Sequence, residues 1–90
     1  MQEDPSDAGP HVTRAIVYVR ERNWKQALDD FTVAVQLDPI NPAWVFNRGV
    51  AHARLGQRKE AIADLAKCLA MNPPPEVASH ARDELAKLRR

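Results

Sequence analysis

The sequence predicts an all-α fold, a short solenoid of helical hairpins that contains five helices. Three observations predict it: a 34-residue period, apolar residues that recur at spacings of three and four, and glycine or proline between the segments. A fixed period of this length is typical of helical repeat arrays. Residue pairs related by the shift include Ala15 and Gly49, Ala27 and Ala61, Phe31 and Leu65, and Pro39 and Pro73.

The first hairpin is predicted from helices at about 10–22 and 24–37. Pro10 suits the start of a helix, where its missing N–H removes no hydrogen bond. Apolar residues lie on two sides of the first helix, which indicates packing on more than one face. In the second helix Ala27, Phe31 and Ala34 share one face, and their opposite face is polar. We therefore interpret the adjacent carboxylates Asp29 and Asp30 as solvated charge.

The second hairpin is predicted from helices at about 42–55 and 58–71. Asn41 is a favourable N-cap, and Pro42 follows it at the first helical position. Gly56 ends the third helix because glycine enters the left-handed conformation readily. A fifth helix at about 76–88 carries one apolar stripe and a polar opposite face, as a terminal capping element requires.

These helices divide the chain into a short tail and one small domain. We expect residues 1–9 to form a disordered acidic tail, because they are polar and contain three acids and no base. Residues 10–90 form the domain, with repeat 1 at about 8–41, repeat 2 at about 42–75 and the capping helix at about 76–89. The chain has 90 residues, so its core is modest.

Composition and charge disfavour several classes of function. The net charge of +1 argues against a nucleic-acid partner, and no apolar run approaches the ~20 residues that span a membrane. A cytoplasmic location is the default expectation. The lone Cys68 aligns with Ala34 of the first repeat, so we interpret it as a small buried residue. His52 aligns with Tyr18 and is interpreted as a packing residue.

The spacing of small, aromatic and proline residues resembles the tetratricopeptide repeat, a 34-residue helix-turn-helix. Gly49, Gly56, Ala61, Leu65 and Pro73 carry the resemblance in one copy. The second set is Ala15, Tyr18, Trp24, Ala27, Phe31 and Pro39. The sequence departs from the family pattern in two ways. Arg14 and Arg48 replace the large apolar residue that precedes the small residue of each repeat. His11 and Val45 stand where the family has its leading tryptophan. The resemblance implies a right-handed α-solenoid.

The resemblance also implies a peptide-binding groove lined by the first helix of each repeat. The candidate peptide-binding residues are Val12, Ile16, Val19, Arg20, Phe46, Asn47, Val50, Arg54 and Ala81. Co-chaperone members of the family clamp the terminal carboxylate of a chaperone tail with five polar residues. The matching positions are Val12, Ile16, Asn47, Val77 and Ala81. Only Asn47 fits, so this clamp is not expected, and the groove is predicted to be more apolar.

Arginines repeat at the 34-residue spacing in two sets, which are Arg14, Arg48 and Arg82, and then Arg20 and Arg54. Guanidinium groups bind carboxylates in a bidentate manner. One hypothesis is therefore that Arg20 and Arg54 hold an acidic ligand, while Asn47 bonds its backbone. The alternative is that the arginines form salt bridges within the array.

The sequence contains no catalytic constellation, and no enzyme activity, cofactor or metal site is predicted. The three histidines lie on different helices and have no partner at zinc-ligand spacing. The predicted function is a non-catalytic protein-interaction module that binds a peptide segment of a partner, acidic or amphipathic, in the concave groove. The alternative is a structural unit that forms a homodimer through the groove or the exposed helices at the ends of the array.

Overall fold

The computed structural model describes residues 6–90, which fold into five α-helices and contain no strand. The helices are α1 (Gly9–Arg20), α2 (Trp24–Leu37), α3 (Pro42–Arg54), α4 (Arg58–Ala70) and α5 (Pro75–Leu88). The all-α repeat fold predicted from the sequence is thereby confirmed. The boundaries differ from the predicted ones by at most two residues.

The start of α1 lies closer to the N-terminus than the sequence indicates. Gly9 opens the helix after Ala8, which provides no side-chain cap, and the Gly9 N–H donates a hydrogen bond of 2.9 Å to Asp7 Oδ1. Ala8 is buried in the core. Residues 7–9 of the predicted tail thus belong to the packed structure or to the turn that leads into it, while residues 1–5 lie outside the described part.

The inter-repeat turn has the cap that the sequence predicts. Asn41 accepts a hydrogen bond of 3.0 Å from the Ala43 N–H, and Pro42 occupies the first turn of α3. The turns within the two repeats also match each other. Asn23 N–H bonds the Tyr18 carbonyl at 2.8 Å, and Gln57 N–H bonds the His52 carbonyl at 2.9 Å. Each hairpin therefore closes with the same backbone geometry.

Two clusters of buried side chains hold the array together, and Trp44 on α3 contacts both. The first joins α1, α2 and α3 around Phe31, and the second joins α2, α3, α4 and α5 around Leu65. Small residues bring the helices close, since Ala27 and Ala61 are fully buried. The members of the first cluster are Ala8, Val12, Ala15, Ala27, Phe31, Ala34 and Ala51; those of the second are Val35, Val45, Leu65, Cys68, Ala81 and Leu85.

Helix α5 packs on both α3 and α4 and covers the end of the second cluster. Its inward residues Ala81 and Leu85 are buried, whereas Arg82, Asp83 and Lys87 are exposed. Cys68 is fully buried on α4, as expected, and this burial raises the pKa of its thiol. A thiol with these properties is a packing group rather than a nucleophile.

Candidate functional site

An apolar pocket of about 270 Å³ lies between α1, α2 and α3. Its lining residues come from the C-terminal parts of α1 and α3 and from α2. The side chains that line it are Ile16, Val19, Arg20, Trp24, Phe31, Asn47, Val50, Ala51 and Arg54. Its walls are mainly hydrocarbon and its polar groups are few, an arrangement typical of a site that accepts one apolar side chain.

Six of the nine residues predicted from the sequence line this pocket, namely Ile16, Val19, Arg20, Asn47, Val50 and Arg54. Three lie elsewhere. Val12 and Ala81 are packed in the core and expose 6% and 0% of their surface. Phe46 is half-buried against α5, with its ring centroid 6.3 Å from that of His80. Ligand contact by these three residues stays a prediction, and the burial of Val12 and Ala81 argues against it.

Trp24, Phe31 and Ala51 also line the pocket and were not predicted from the sequence. Trp24 and Phe31 belong to α2, and only the first helix of each repeat was expected to face a ligand. A signal for Trp24 was present, because it follows Arg20 by four residues across a short turn. It is half-buried in the structure.

The two arginines of the pocket have different surroundings. Arg54 pairs with Glu84 of α5 at 3.2 Å, and its guanidinium carbon lies 6.0 Å from the centroid of the Trp24 ring. Lys87 Nζ lies 3.8 Å from the same glutamate. Arg20 is exposed and makes no ion pair with any residue in 6–90. Of the two, Arg20 therefore has the free charge that a ligand carboxylate can pair with.

The other set of repeated arginines forms salt bridges within the array. Arg14 binds Asp30 in bidentate fashion at 2.8 and 2.7 Å, and Arg48 binds Asp64 at 2.8 and 2.8 Å. Asp30 and Asp64 expose only 4% and 6% of their surface. The interpretation of Asp30 as solvated charge was therefore wrong. Arg82, the third member of the set, is exposed and has no ion pair within residues 6–90.

The salt bridges shift the pKa values of Asp30, Arg14 and Arg48. The Arg14 hydrogen bonds hold the pKa of Asp30 below its ordinary value, and Asp30 in turn raises the pKa of Arg14. Asp64 raises the pKa of Arg48 in the same way. A sequence signal existed, since arginine and aspartate are 16 residues apart in both repeats. The salt bridges within the array, which the sequence left as the alternative, are therefore present at Arg14 and Arg48, and this spacing identifies their partners.

A histidine lies beside each buried carboxylate. His11 Nδ1 is 3.7 Å from Asp30, and His52 Nε2 is 3.6 Å from Asp64. His52 Nδ1 also contacts the Gln57 side-chain oxygen. His52 thus contacts α4 and the turn as the predicted packing residue would. No group of three His, Cys, Asp or Glu side chains in residues 6–90 is arranged to hold a metal ion.

The fold and groove define a helical-repeat array of the kind that presents a concave surface to a partner. A family model described as the tetratricopeptide repeat matches residues 14–87. The chain therefore belongs to the tetratricopeptide repeat family, as the spacing of its small residues predicts.

The relatives are tetratricopeptide repeat proteins and domains. The human small glutamine-rich tetratricopeptide repeat-containing protein beta is 38% identical over 47 residues, which are 52% of this chain and 16% of that protein. The first such domain of Spaghetti, solved with the HSP90 peptide SRMEEVD, has a TM-score of 0.84 and 28% identity over 96% of this chain. The second such domain of human RPAP3, solved with the HSP70 peptide SGPTIEEVD, has a TM-score of 0.85 and 29% identity over 97%.

This chain covers 66% and 70% of those two structures, so each is longer than the array described above. None of the helices in residues 6–90 combines the length and the apolar character that crossing a bilayer requires.

Proposed function

We propose that this chain is a protein-interaction module whose groove binds a peptide segment of a partner, with one apolar side chain in the pocket and a carboxylate beside Arg20. The pocket of about 270 Å³ is the observation that carries the proposal. Its size suits a side chain such as methionine or isoleucine, and Arg20 on its wall is exposed and unpaired within residues 6–90. Two structural relatives hold peptides that end in Glu-Glu-Val-Asp.

The mode of binding differs from a clamp on the terminal carboxylate. Among the positions that would supply such a clamp, Val12 and Ala81 are buried and apolar, and only Asn47 is a polar group on the pocket wall. Affinity then comes from burying the apolar side chain, at about 25 cal/mol per Å², and from one charged contact at Arg20. The proposal assigns the chain no catalytic step, and the cytoplasmic location stays a prediction.

The peptides SRMEEVD and SGPTIEEVD are suitable probes, each prepared with a free C-terminus and as the C-terminal amide. We expect both forms to bind within twofold of each other by fluorescence anisotropy, because no clamp reads the terminus. Replacing the methionine or isoleucine by serine should weaken binding about tenfold, about 1.4 kcal/mol. Binding that requires the free carboxylate and ignores the apolar residue would contradict the proposal.

Two variants test the site itself. Val50→Asp places a charge in the pocket and should abolish binding, and Arg20→Glu should weaken it at least tenfold. Arg82→Glu is the matched control, because Arg82 is equally unpaired within residues 6–90 but lies on the outer face of α5. Circular dichroism verifies that each variant keeps its helices. Equal losses in Arg20→Glu and Arg82→Glu would remove Arg20 from the site.

Self-association is the second candidate function, favoured by the exposure of 43% of Ile16 and 45% of Val17 on α1. Light scattering over a range of concentrations decides it, since the monomer mass is 10.1 kDa. A mass of twice that value, reduced to the monomer by Val17→Glu, would assign this surface to a homodimer. A constant monomer mass would leave the groove free for a peptide.

A further inference from the structure

The charged residues of this chain are distributed unevenly over the structure. Three segments lie together at one side: the turn 20–25 between α1 and α2, the turn 54–60 between α3 and α4, and the end of α5 at 84–90. Arg54 joins them, because its guanidinium lies over the Trp24 ring and pairs with Glu84. We call these 20 residues the basic turn surface.

The basic turn surface carries most of the positive charge of the protein. It contains nine of the 13 basic residues and three of the 12 acidic ones, a net side-chain charge of +6. All nine bases are exposed, and only Arg54 and Lys87 form ion pairs within residues 6–90, both with Glu84. The nine are Arg20, Arg22, Lys25, Arg54, Arg58, Lys59, Lys87, Arg89 and Arg90.

The rest of the chain has the opposite charge. Within residues 6–90 it holds four bases and seven acids, and two of the four bases, Arg14 and Arg48, are already paired with buried aspartates. The other ends of the helices carry Asp7, Asp38 and Glu76. The net charge of +1 therefore conceals a strongly dipolar molecule. A concentrated patch of unpaired charge of one sign attracts and orients a partner of the other sign.

We propose that the basic turn surface docks an acidic polypeptide segment of the same partner whose apolar side chain enters the pocket. This inference rests on the proposed function. Arg20, Trp24 and Arg54 line the pocket and also belong to the basic turn surface, so one chain can occupy both. Neutralising several unpaired cations would add affinity that falls with salt, because exposed charges are screened over about 10 Å at 0.1 M.

The surface fits a polypeptide better than the other common polyanions. Its one aromatic residue, Trp24, is half-buried beside Arg54, so the surface lacks the several exposed aromatic faces on which successive nucleic-acid bases stack. Its one exposed large apolar residue is Leu55, at 36%, which is too little to insert into a bilayer. An acidic peptide needs neither feature and uses the adjoining pocket as an anchor.

The probe is a fluorescent peptide with one leucine, a glycine and six glutamates, compared with the same peptide in which glutamine replaces every glutamate. The variant Lys25→Glu/Lys59→Glu reverses two charges in the first turns of α2 and α4, where acidic residues favour the helix. Lys67→Glu/Arg82→Glu is the matched control, with the same change in net charge outside the surface. At about 50 mM salt, we expect the first variant to bind the glutamate peptide at least tenfold more weakly and the control less than twofold.

The experiment distinguishes a failure of the pocket proposal from a failure of the docking proposal. The glutamine peptide should bind weakly through the pocket alone. This binding should be abolished by Val50→Asp and unaffected by Lys25→Glu/Lys59→Glu. If the glutamate peptide binds no better than the glutamine peptide, or if both double variants lose affinity equally, the docking surface is refuted and the pocket stands. Tighter binding of a single-stranded oligonucleotide or of phosphatidylserine vesicles would overturn the polypeptide assignment. If the protein forms dimers at low salt and Lys25→Glu/Lys59→Glu abolishes them, the surface binds a second copy of this chain.

Discussion

The two repeats contain the same salt bridge in different surroundings. Arg14 and Arg48 bind Asp30 and Asp64 with nearly identical geometry, and both carboxylates are buried. The arginines differ, since the Arg14 side chain is 61% exposed and that of Arg48 is 20% exposed. Because α3 packs against α2, α4 and α5, its arginine lies within the array, whereas α1 lies at the end of the array.

From this comparison we infer that the position of the repeated salt bridge in the array sets how much it contributes to the free energy of unfolding. A carboxylate enclosed by protein loses its hydration and depends on its partner, so breaking such a pair is costly. Where the arginine is itself in water, removal of its side chain lets water reach the carboxylate. The same pair of residues is therefore expected to be essential in repeat 2 and replaceable in repeat 1.

The largest expected effect is that of Arg48→Ala. It leaves Asp64 buried without its guanidinium, and we expect a loss of about 2–3 kcal/mol in the free energy of unfolding, below the 3–5 kcal/mol of fully buried pairs. Arg14→Ala should cost clearly less. Urea denaturation followed by circular dichroism measures both.

A control and a contradicting outcome are available for this pair. The double variant Arg48→Ala/Asp64→Ala removes the unpaired charge and should recover part of the lost stability. Equal losses in Arg14→Ala and Arg48→Ala would show that burial of the aspartate alone, and not exposure of the arginine, sets the cost.

The fold could be predicted from the sequence because the 34-residue period fixes both hairpins, and Pro39, Gly56 and Pro73 mark turns. The pocket could be predicted in part. Ile16 and Val50 follow from the faces of α1 and α3, but Val12, which shares the face of Ile16, lies one turn nearer the N-terminus, where α1 packs into the core. Distinguishing these positions needs the location of the pocket along the axis of α1, which the apolar pattern of a helix does not give.

The clustering of positive charge could not be recognised from a net charge of +1. Basic residues at the end of one helix and the start of the next come together with those of α5 only when the helices are folded side by side. The sequence separates Arg20, Arg54 and Lys87 by more than 30 residues each, and the hairpin arrangement brings all three to the same side.

A smaller effect is expected at the turns, where the two repeats place different residues at the left-handed position. Arg22 has φ of 60° and its equivalent Gly56 has φ of 77°. A side chain in this left-handed region costs about 1–2 kcal/mol, whereas glycine adopts it freely. Arg22→Gly should therefore raise the free energy of unfolding by up to about 1 kcal/mol, since the flexible glycine also stabilises the unfolded chain.

The reciprocal change, Gly56→Ala, is the matched test of that strain. A Cβ added at Gly56 has no atom within 4 Å, so any loss comes from the backbone alone. We expect a lower melting temperature for Gly56→Ala and a higher one for Arg22→Gly. Two changes of the same sign would show that the turns do not share one conformational cost.

The smallest effect is the pH dependence of the Arg14–Asp30 pair. Arg14 holds the pKa of folded Asp30 below the ordinary value of 3.8, so the unfolded chain binds the proton first as the pH falls. The stabilisation is complete above about pH 5 and is lost as the pH falls through the folded pKa. The measurement compares the free energy of unfolding of the chain with Asp30 and of the Asp30→Asn variant. The difference between the two should be constant from pH 7 to 5 and should become smaller below pH 4. Both chains carry His11→Gln, which removes the neighbouring imidazole. A difference that stays constant to pH 2 would mean that Asp30 stabilises repeat 1 by its shape and hydrogen bonds, and that its charge contributes nothing.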